Sequence, residues 1–348
     1  SRKVCIKDFY RATHPQKMPW NWVQQYQSLG SLVWQLLREN KMEALLALTP
    51  QHINKIKHGL FAIMVSLLMS FYCPSWAEVT IEKLTEDVLV FDQGENRGLL
   101  IIGSKGVAVI DPLNQQTAIE LNKFITKNYK KAVTHVVYTH SHWDRISGGA
   151  VFKKQGAKFI ANKECRLFLS GNQNPNVVEP DVYFDRTYVI ELGNQTIELS
   201  YFGPSHGECL VAVKIQPANF LFIADLLDTT GPTFPNDPTL PYLRPATLVS
   251  VLSAMEELAM TNQISSFIAG SSATKILGSI DTISKQREFW QLVQSTAEQA
   301  EKDGNIDLNN FIDMDKIDLE PFQHFQNYNQ EDLSNILRRY TSFLNMGR

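Results

Sequence analysis

Val136-Val-Tyr-Thr-His140-Ser-His142-Trp-Asp144-Arg145-Ile-Ser-Gly148-Gly149 is the stretch on which the reading of this chain turns. The continuous run Val133–Thr139 predicts a strand buried on both faces. A glycine-rich turn follows it. On an extended strand end, residues two apart point the same way, so the imidazoles of His140 and His142 can reach one ion. Asp144 comes as the chain turns and can reach a second position beside the first. A bare His-x-His also describes paired surface histidines. The whole string after a β-branched strand is far more specific.

Outward from this stretch the chain alternates strands and helices. Val79–Leu84, Val88–Phe91, Leu99–Ile102 and Val107–Ile110 are short apolar runs between turn signals. Thr117–Asn128 carries apolar residues at helical spacing, and Lys158–Ala161 reads as another strand after a helix near Gly148. Tyr188–Leu192 and Thr196–Tyr201 flank the hairpin turn Gly193-Asn194, and Leu210–Ile215 pairs with Phe220–Ile223. Pro245–Thr261 is expected to be helical, Ile264–Ala269 a strand, and Ile283–Lys302 a long helix. The tail Ile317–Arg348 has Leu333, Ile336, Leu337 and Tyr340 at helical spacing and is expected to dock on the domain. Sheets with helices after each group imply a layered α/β sandwich.

Thr-His-Ser-His-Trp-Asp-Arg-Ile-Ser-Gly-Gly resembles the H-x-H-x-D-H metal signature of the metallo-β-lactamase superfamily. Gly203-Pro-Ser-His206 resembles that family's third-histidine motif, Phe220-Leu-Phe-Ile-Ala-Asp225 the motif whose Asp bridges two metals, and Gly106-Val-Ala-Val-Ile-Asp111 its early strand ending in Asp. The resemblance runs from about Val79 to Leu344 and implies a four-layer αββα sandwich with a metal site at one edge between two sheets. Carried over, it implies that His140, His142 and His206 hold a first metal and that Asp225 bridges. Asp144 would bind a second metal or accept a proton, and Asp111 would orient an imidazole. Three histidines plus a water form the open arrangement of catalytic zinc, which brings water to a pKa of roughly 7.

Two departures stand out. Arg145 occupies the place of a second-site histidine, and an always-protonated guanidinium does not ligate a cation. The last ligand of the family comes from a Gly-His-Gly-like turn, where this chain has Gly270-Ser271-Ser272. Carboxylates and hydroxyls alone hold zinc weakly, so one Zn²⁺ per chain is expected. The leading expectation is a zinc-dependent hydrolase of an ester, lactone, amide or lactam bond in a small-molecule substrate, with Asp144 and Arg145 as catalytic residues. Arg145 would neutralise substrate charge or a developing oxyanion. The other is a catalytically degenerate relative acting as a binding or scaffolding module. Trp143 is expected to pack in the core. The loop over 228–244 reads equally as a pocket wall or a stiff surface loop.

Composition limits the alternatives. Of 348 residues, 44% are hydrophobic and 20% charged, as in ordinary globular proteins, and a net charge of −3 offers no electrostatic case for nucleic acid or an anionic membrane as partner. Lys55-Ile-Lys-His58, the apolar run Gly59–Tyr72, and Ser75 and Ala77 before a cleavage point are the parts of a secretory signal over 55–77. A run of that length is short for a span of about 20 residues. Residues 78–348 would then form the exported domain, periplasmic or secreted and without stable membrane insertion. For 1–54 the reading stays open between a native start further in, at Met42, and an N-terminal extension of unassigned role. Cys165 and Cys209 would be the only cysteines retained, either as one disulfide or as two buried thiols, with Cys209 read as a core thiol. Oligomeric state is not legible.

Overall fold

The computed structural model describes residues 78–231, 245–273, 275–306, 312–326 and 328–346. The expected signal, the N-terminal extension and most of the loop over 228–244 lie outside the described residues.

The first half builds one sheet. Strands β1 (Thr80–Lys83), β2 (Val88–Gln93), β3 (Asn96–Gly103) and β4 (Gly106–Ile110) form an antiparallel meander. Helix α1 (Gln115–Tyr129) then crosses to β5 (Val133–Val137), parallel to β4. Asn114 caps α1 by accepting a hydrogen bond from Thr117 N at 3.0 Å. After β5 come two short helices, α2 (Trp143–Ile146) and α3 (Gly149–Lys153), then β6 (Lys158–Asn162), helix α4 (Arg166–Leu169) and β7 (Val182–Phe184). These complete a seven-stranded sheet in sequential order.

The second half builds the other sheet. Strands β8 (Thr187–Glu191), β9 (Thr196–Tyr201), β10 (Val211–Gln216) and β11 (Phe220–Ile223) are antiparallel neighbours. Helix α5 (Pro245–Thr261) leads to β12 (Ser266–Ala269), parallel to β11, and β13 (Leu277–Ser279) closes a six-stranded sheet. Helices α6 (Asp281–Lys302) and α7 (Gln330–Met346) follow. Two sheets with helices outside each make the αββα sandwich.

Period-two alternation explains the apolar runs of the first sheet. Val88, Val90, Leu99, Ile101, Ala108 and Ile110 join the core shared with the second sheet. Their chain neighbours Leu89, Phe91, Leu100, Ile102, Val107 and Val109 pack with Leu121 and Ile125 of α1 in a separate cluster. Strands covered on both faces need unbroken hydrophobic sequence. β5 follows this only in part, since Thr134 and His135 are half-buried while Val133, Val136 and Val137 are buried. The tail docks as expected, with Leu333, Leu337 and Tyr340 buried and the Tyr340 hydroxyl donating to Glu298 Oε1 at 3.5 Å. α3 is the helix expected near Gly148, whereas β7, β13, α2 and α4 are too short to show a period in the sequence. Among the described residues no helix is long and apolar enough to cross a membrane.

Candidate metal centre

The site forms where strand ends of the two sheets meet. β5 stops at Val137, and Thr139, His140 and His142 follow as the chain turns into α2. Gly148 and Gly149 let that turn pack tightly, because a β-carbon at either would collide with Pro112 O or with the Tyr138 hydroxyl. From the second sheet, His206 sits in the loop between β9 and β10, and Asp225 lies just past β11. Gly207, beside His206, has φ 73, a left-handed conformation suited to glycine.

His140, His142 and His206 converge, with one ligand nitrogen from each lying within 4.8 Å of the others. His142 Nδ1 and His206 Nε2 are 3.0 Å apart. Asp225 Oδ2 lies 3.5 Å from His140 Nε2 and 3.9 Å from His206 Nε2. His140 is almost fully buried, and its Nε2 makes no hydrogen bond. Leaving a buried polar nitrogen unsatisfied is costly unless a ligand such as a metal ion takes its lone pair. Burial, followed by the charges of His206, His142 and Arg145, holds the His140 imidazole well below its usual pKa. A neutral imidazole is the form that ligates a metal. The donor set therefore fits a divalent ion of the zinc type.

A hydrogen-bond chain fixes which nitrogen of His140 faces inward. Thr139 N and Thr139 Oγ1 donate to the two oxygens of Asp111 at 2.8 and 2.6 Å. With its own proton committed to Asp111, Thr139 Oγ1 accepts from His140 Nδ1 at 2.9 Å. This leaves His140 Nε2 with a lone pair. Asp111 thus acts on the imidazole through Thr139, a link the sequence did not disclose. Burial pushes the Asp111 carboxyl up to about 7 against those two hydrogen bonds.

The neighbouring position is filled by protein. Arg145 is buried; its Nη2 donates to Asp225 Oδ1 in a very close ion pair, and its Nη1 donates to Gly270 O at 2.7 Å. Burial raises the Asp225 pKa, and the Arg145 charge is the largest influence opposing it. Gly270 O also accepts from Arg97 N at 2.7 Å. A β-carbon at Gly270 would sit 3.0 Å from Ala224 Cα and 3.2 Å from Asp225 Oδ1, so glycine is needed for this approach. Asp225 itself holds φ 58, a strained left-handed conformation more tolerable for Asp than for most residues. Ser271 pairs with Asn96 in an isolated bridge at the sheet edge.

The expected site residues therefore separate. His140, His142 and His206 come together, and Asp225 faces two of them. Asp144 stands apart: its side chain is 59% exposed, its Oδ2 accepts from Asn96 Nδ2 at 3.2 Å, and Arg145 Nε is 3.8 Å away. Nothing in the sequence pointed to Asn96 as its partner. Trp143 corrects the expectation of a core role. It is 50% exposed, because α2 turns it outward while burying Arg145 and Ile146. Cys165 and Cys209 form a disulfide, so Cys209 is not a free core thiol.

The sequence model of the metallo-β-lactamase superfamily matches residues 98–260. Residues 98–260 thus carry the metallo-β-lactamase superfamily's sequence pattern, and the domain has that superfamily's fold. A metallo-β-lactamase type 2 of Elizabethkingia meningoseptica is 29% identical over 163 residues, covering 44% of this chain and 64% of that protein. One of Bacillus cereus is 29% identical over 152 residues, 41% of this chain and 58% of its own length. The 2,4-dinitroanisole O-demethylase subunit alpha of a Nocardioides strain is 24% identical over 159 residues, 45% of this chain and 48% of that protein. The matches thus span less than two thirds of these relatives. Among solved structures, a metallo-β-lactamase from Pontibacter korlensis superposes with a TM-score of 0.54 at 18% identity, covering 62% of this chain and 99% of the other. That likeness bears on the fold of the superfamily.

Proposed function

We propose that this chain is a zinc-dependent hydrolase with one Zn²⁺ held by His140, His142 and His206, cleaving an ester, lactone, amide or lactam bond in a small-molecule substrate. The observation that carries the reading is the convergence of three imidazoles, with His140 buried, neutral and lacking a hydrogen bond at Nε2. Zinc bound there would supply Lewis acidity toward water and a substrate carbonyl.

The chain's own groups supply the rest. Asp111 and Thr139 hold the tautomer of His140. Asp225 turns Oδ2 toward His140 and His206, where it can accept a proton from water or serve as a further ligand. The Arg145 charge opposes the rise that burial imposes on the Asp225 pKa and aims its carboxyl group. Asp144, at the solvent edge, would serve in this reading as a proton acceptor. Export to the periplasm or medium is part of the proposal; the signal-like segment over 55–77 and the disulfide support it.

A second reading, a binding module on a degenerate site, draws on the Arg145–Asp225 pair and on Ser271, which together replace a second metal. Elemental analysis of the purified protein, with His142→Ala beside it, separates the readings. About one zinc per chain, lost in the variant, together with turnover of an ester, lactone or β-lactam, is the expected result. Zinc without turnover of any of them favours the binding module. Absence of zinc under zinc-replete conditions overturns the hydrolase.

A further inference from the structure

The metal centre draws its histidines from two sheets, and a covalent brace joins those sheets beside it. Cys165 ends the 3₁₀ turn Lys163–Cys165 after β6 of the first sheet, and Cys209 lies just before β10 of the second. They form a disulfide with the α-carbons 5.2 Å apart, and both are fully buried. Cys209 follows His206 with Gly207 and Glu208 between them. Three residues of chain reach at most about 10 Å, so fixing Cys209 confines His206.

Other ties of this loop are non-covalent, among them the contacts of His206 Nε2 with His142 Nδ1 at 3.0 Å and with Asp225 Oδ2 at 3.9 Å. Val211 N donates to Thr139 O at 2.9 Å, joining β10 to the residue before His140. Tyr201 Oη donates to Glu208 O at 2.8 Å, and Ser205 N to Gly207 O at 3.0 Å, but both lie within the second-sheet segment itself. The disulfide is thus the covalent link between the histidine-bearing loop and the sheet carrying His140 and His142.

We propose that the Cys165–Cys209 disulfide is a positioning element of the metal centre, holding His206 at ligating distance from His140 and His142 and so raising metal affinity. The proposal rests on reading the three histidines as a metal site. Its physical basis is pre-organisation: apparent affinity falls by the fraction of time the third ligand is out of place. Both sulfurs are buried, so the link is part of the packed domain.

The test compares the full chain with Cys165→Ala/Cys209→Ala, well below the unfolding temperature of either metal-free protein. Zinc affinity is read by competition with a chromophoric chelator, and ligand geometry by the visible spectrum of the cobalt-substituted protein. The expected result is zinc binding weakened about tenfold or more, with an altered cobalt spectrum. A variant that merely unfolds at lower temperature, with zinc affinity unchanged, overturns the proposal and leaves the hydrolase reading intact. No zinc binding by the wild type overturns both.

Should the variant fail to fold, the wild type alone decides, because coupling is reciprocal. In a glutathione redox buffer two glutathione thiols give two electrons and two protons to the disulfide, yielding two protein thiols and glutathione disulfide. Zinc at a fixed free concentration that saturates both forms should shift this equilibrium toward the protein disulfide by the same factor. An equilibrium indifferent to zinc overturns the proposal.

Discussion

Arg145→Met in the metal-free protein isolates the most unusual feature of the site. The guanidinium is buried, paired with Asp225 Oδ1 and donating to Gly270 O. Methionine keeps much of the volume and removes the charge. Gly270 O stays satisfied, because Arg97 N still donates to it at 2.7 Å. Asp225 does not: its other oxygen has His140 and His206 at 3.5 and 3.9 Å, too far for good hydrogen bonds. Breaking a buried pair by removing one partner costs about 3–5 kcal/mol, chiefly through the uncompensated charge left behind. For a domain of this size each kcal/mol is worth about 2–4 °C, so Tm should fall by about 6–20 °C at pH 8. Differential scanning calorimetry of the metal-stripped protein measures this. The companion Arg145→Met/Asp225→Leu should recover most of the loss, since replacing both charges leaves neither orphaned. A Tm change below about 2 °C in the single variant, or a double variant whose loss equals the sum of the two singles, would refute the argument.

Asp111 carries a pH signature. Its folded pKa of about 7 lies above the unfolded carboxylate value of about 3.9, so the folded state holds the extra proton between them. That contribution is whole below about pH 4 and is lost as pH rises through about 7. Asp111→Asn should flatten the decline in metal-free stability across this window, and parallel urea-unfolding profiles would count against it. Thr139→Val removes the acceptor of His140 Nδ1 and should weaken zinc binding about 10–100-fold by chelator competition, with unchanged affinity as the contrary outcome. Arg145→His/Ser271→His supplies two nitrogens beside Asp225. Elemental analysis should then approach two zincs per chain, and a value remaining at one would show that other groups limit the second site.

Much of this molecule was legible without coordinates. Leu99–Ile102 and Val107–Ile110 read as strands, and Pro245–Thr261 as a helix, because local apolar patterning reports the kind of element a segment forms. His140 and His142 could be named from their spacing at a strand end, and His206 and Asp225 from the resemblance of their motifs to those of the superfamily. What stayed hidden depends on residues far apart in the chain. Asn96 meets Asp144 across 48 positions and Arg145 meets Gly270 O across 125, and only the structure decided between the disulfide and the two thiols that the sequence left open for Cys165 and Cys209. No periodicity encodes such pairs; they follow from how strands are ordered within a sheet and how the two sheets stack. Trp143 shows the same limit on a smaller scale, since a single helical turn set it outward while its neighbour Arg145 went in. Sequence alone determined which elements form and which side chains can ligate. Only the tertiary structure decided that Arg145 stands beside the histidine cluster paired with Asp225, because a long-range contact is settled by packing and not by the residues on either side.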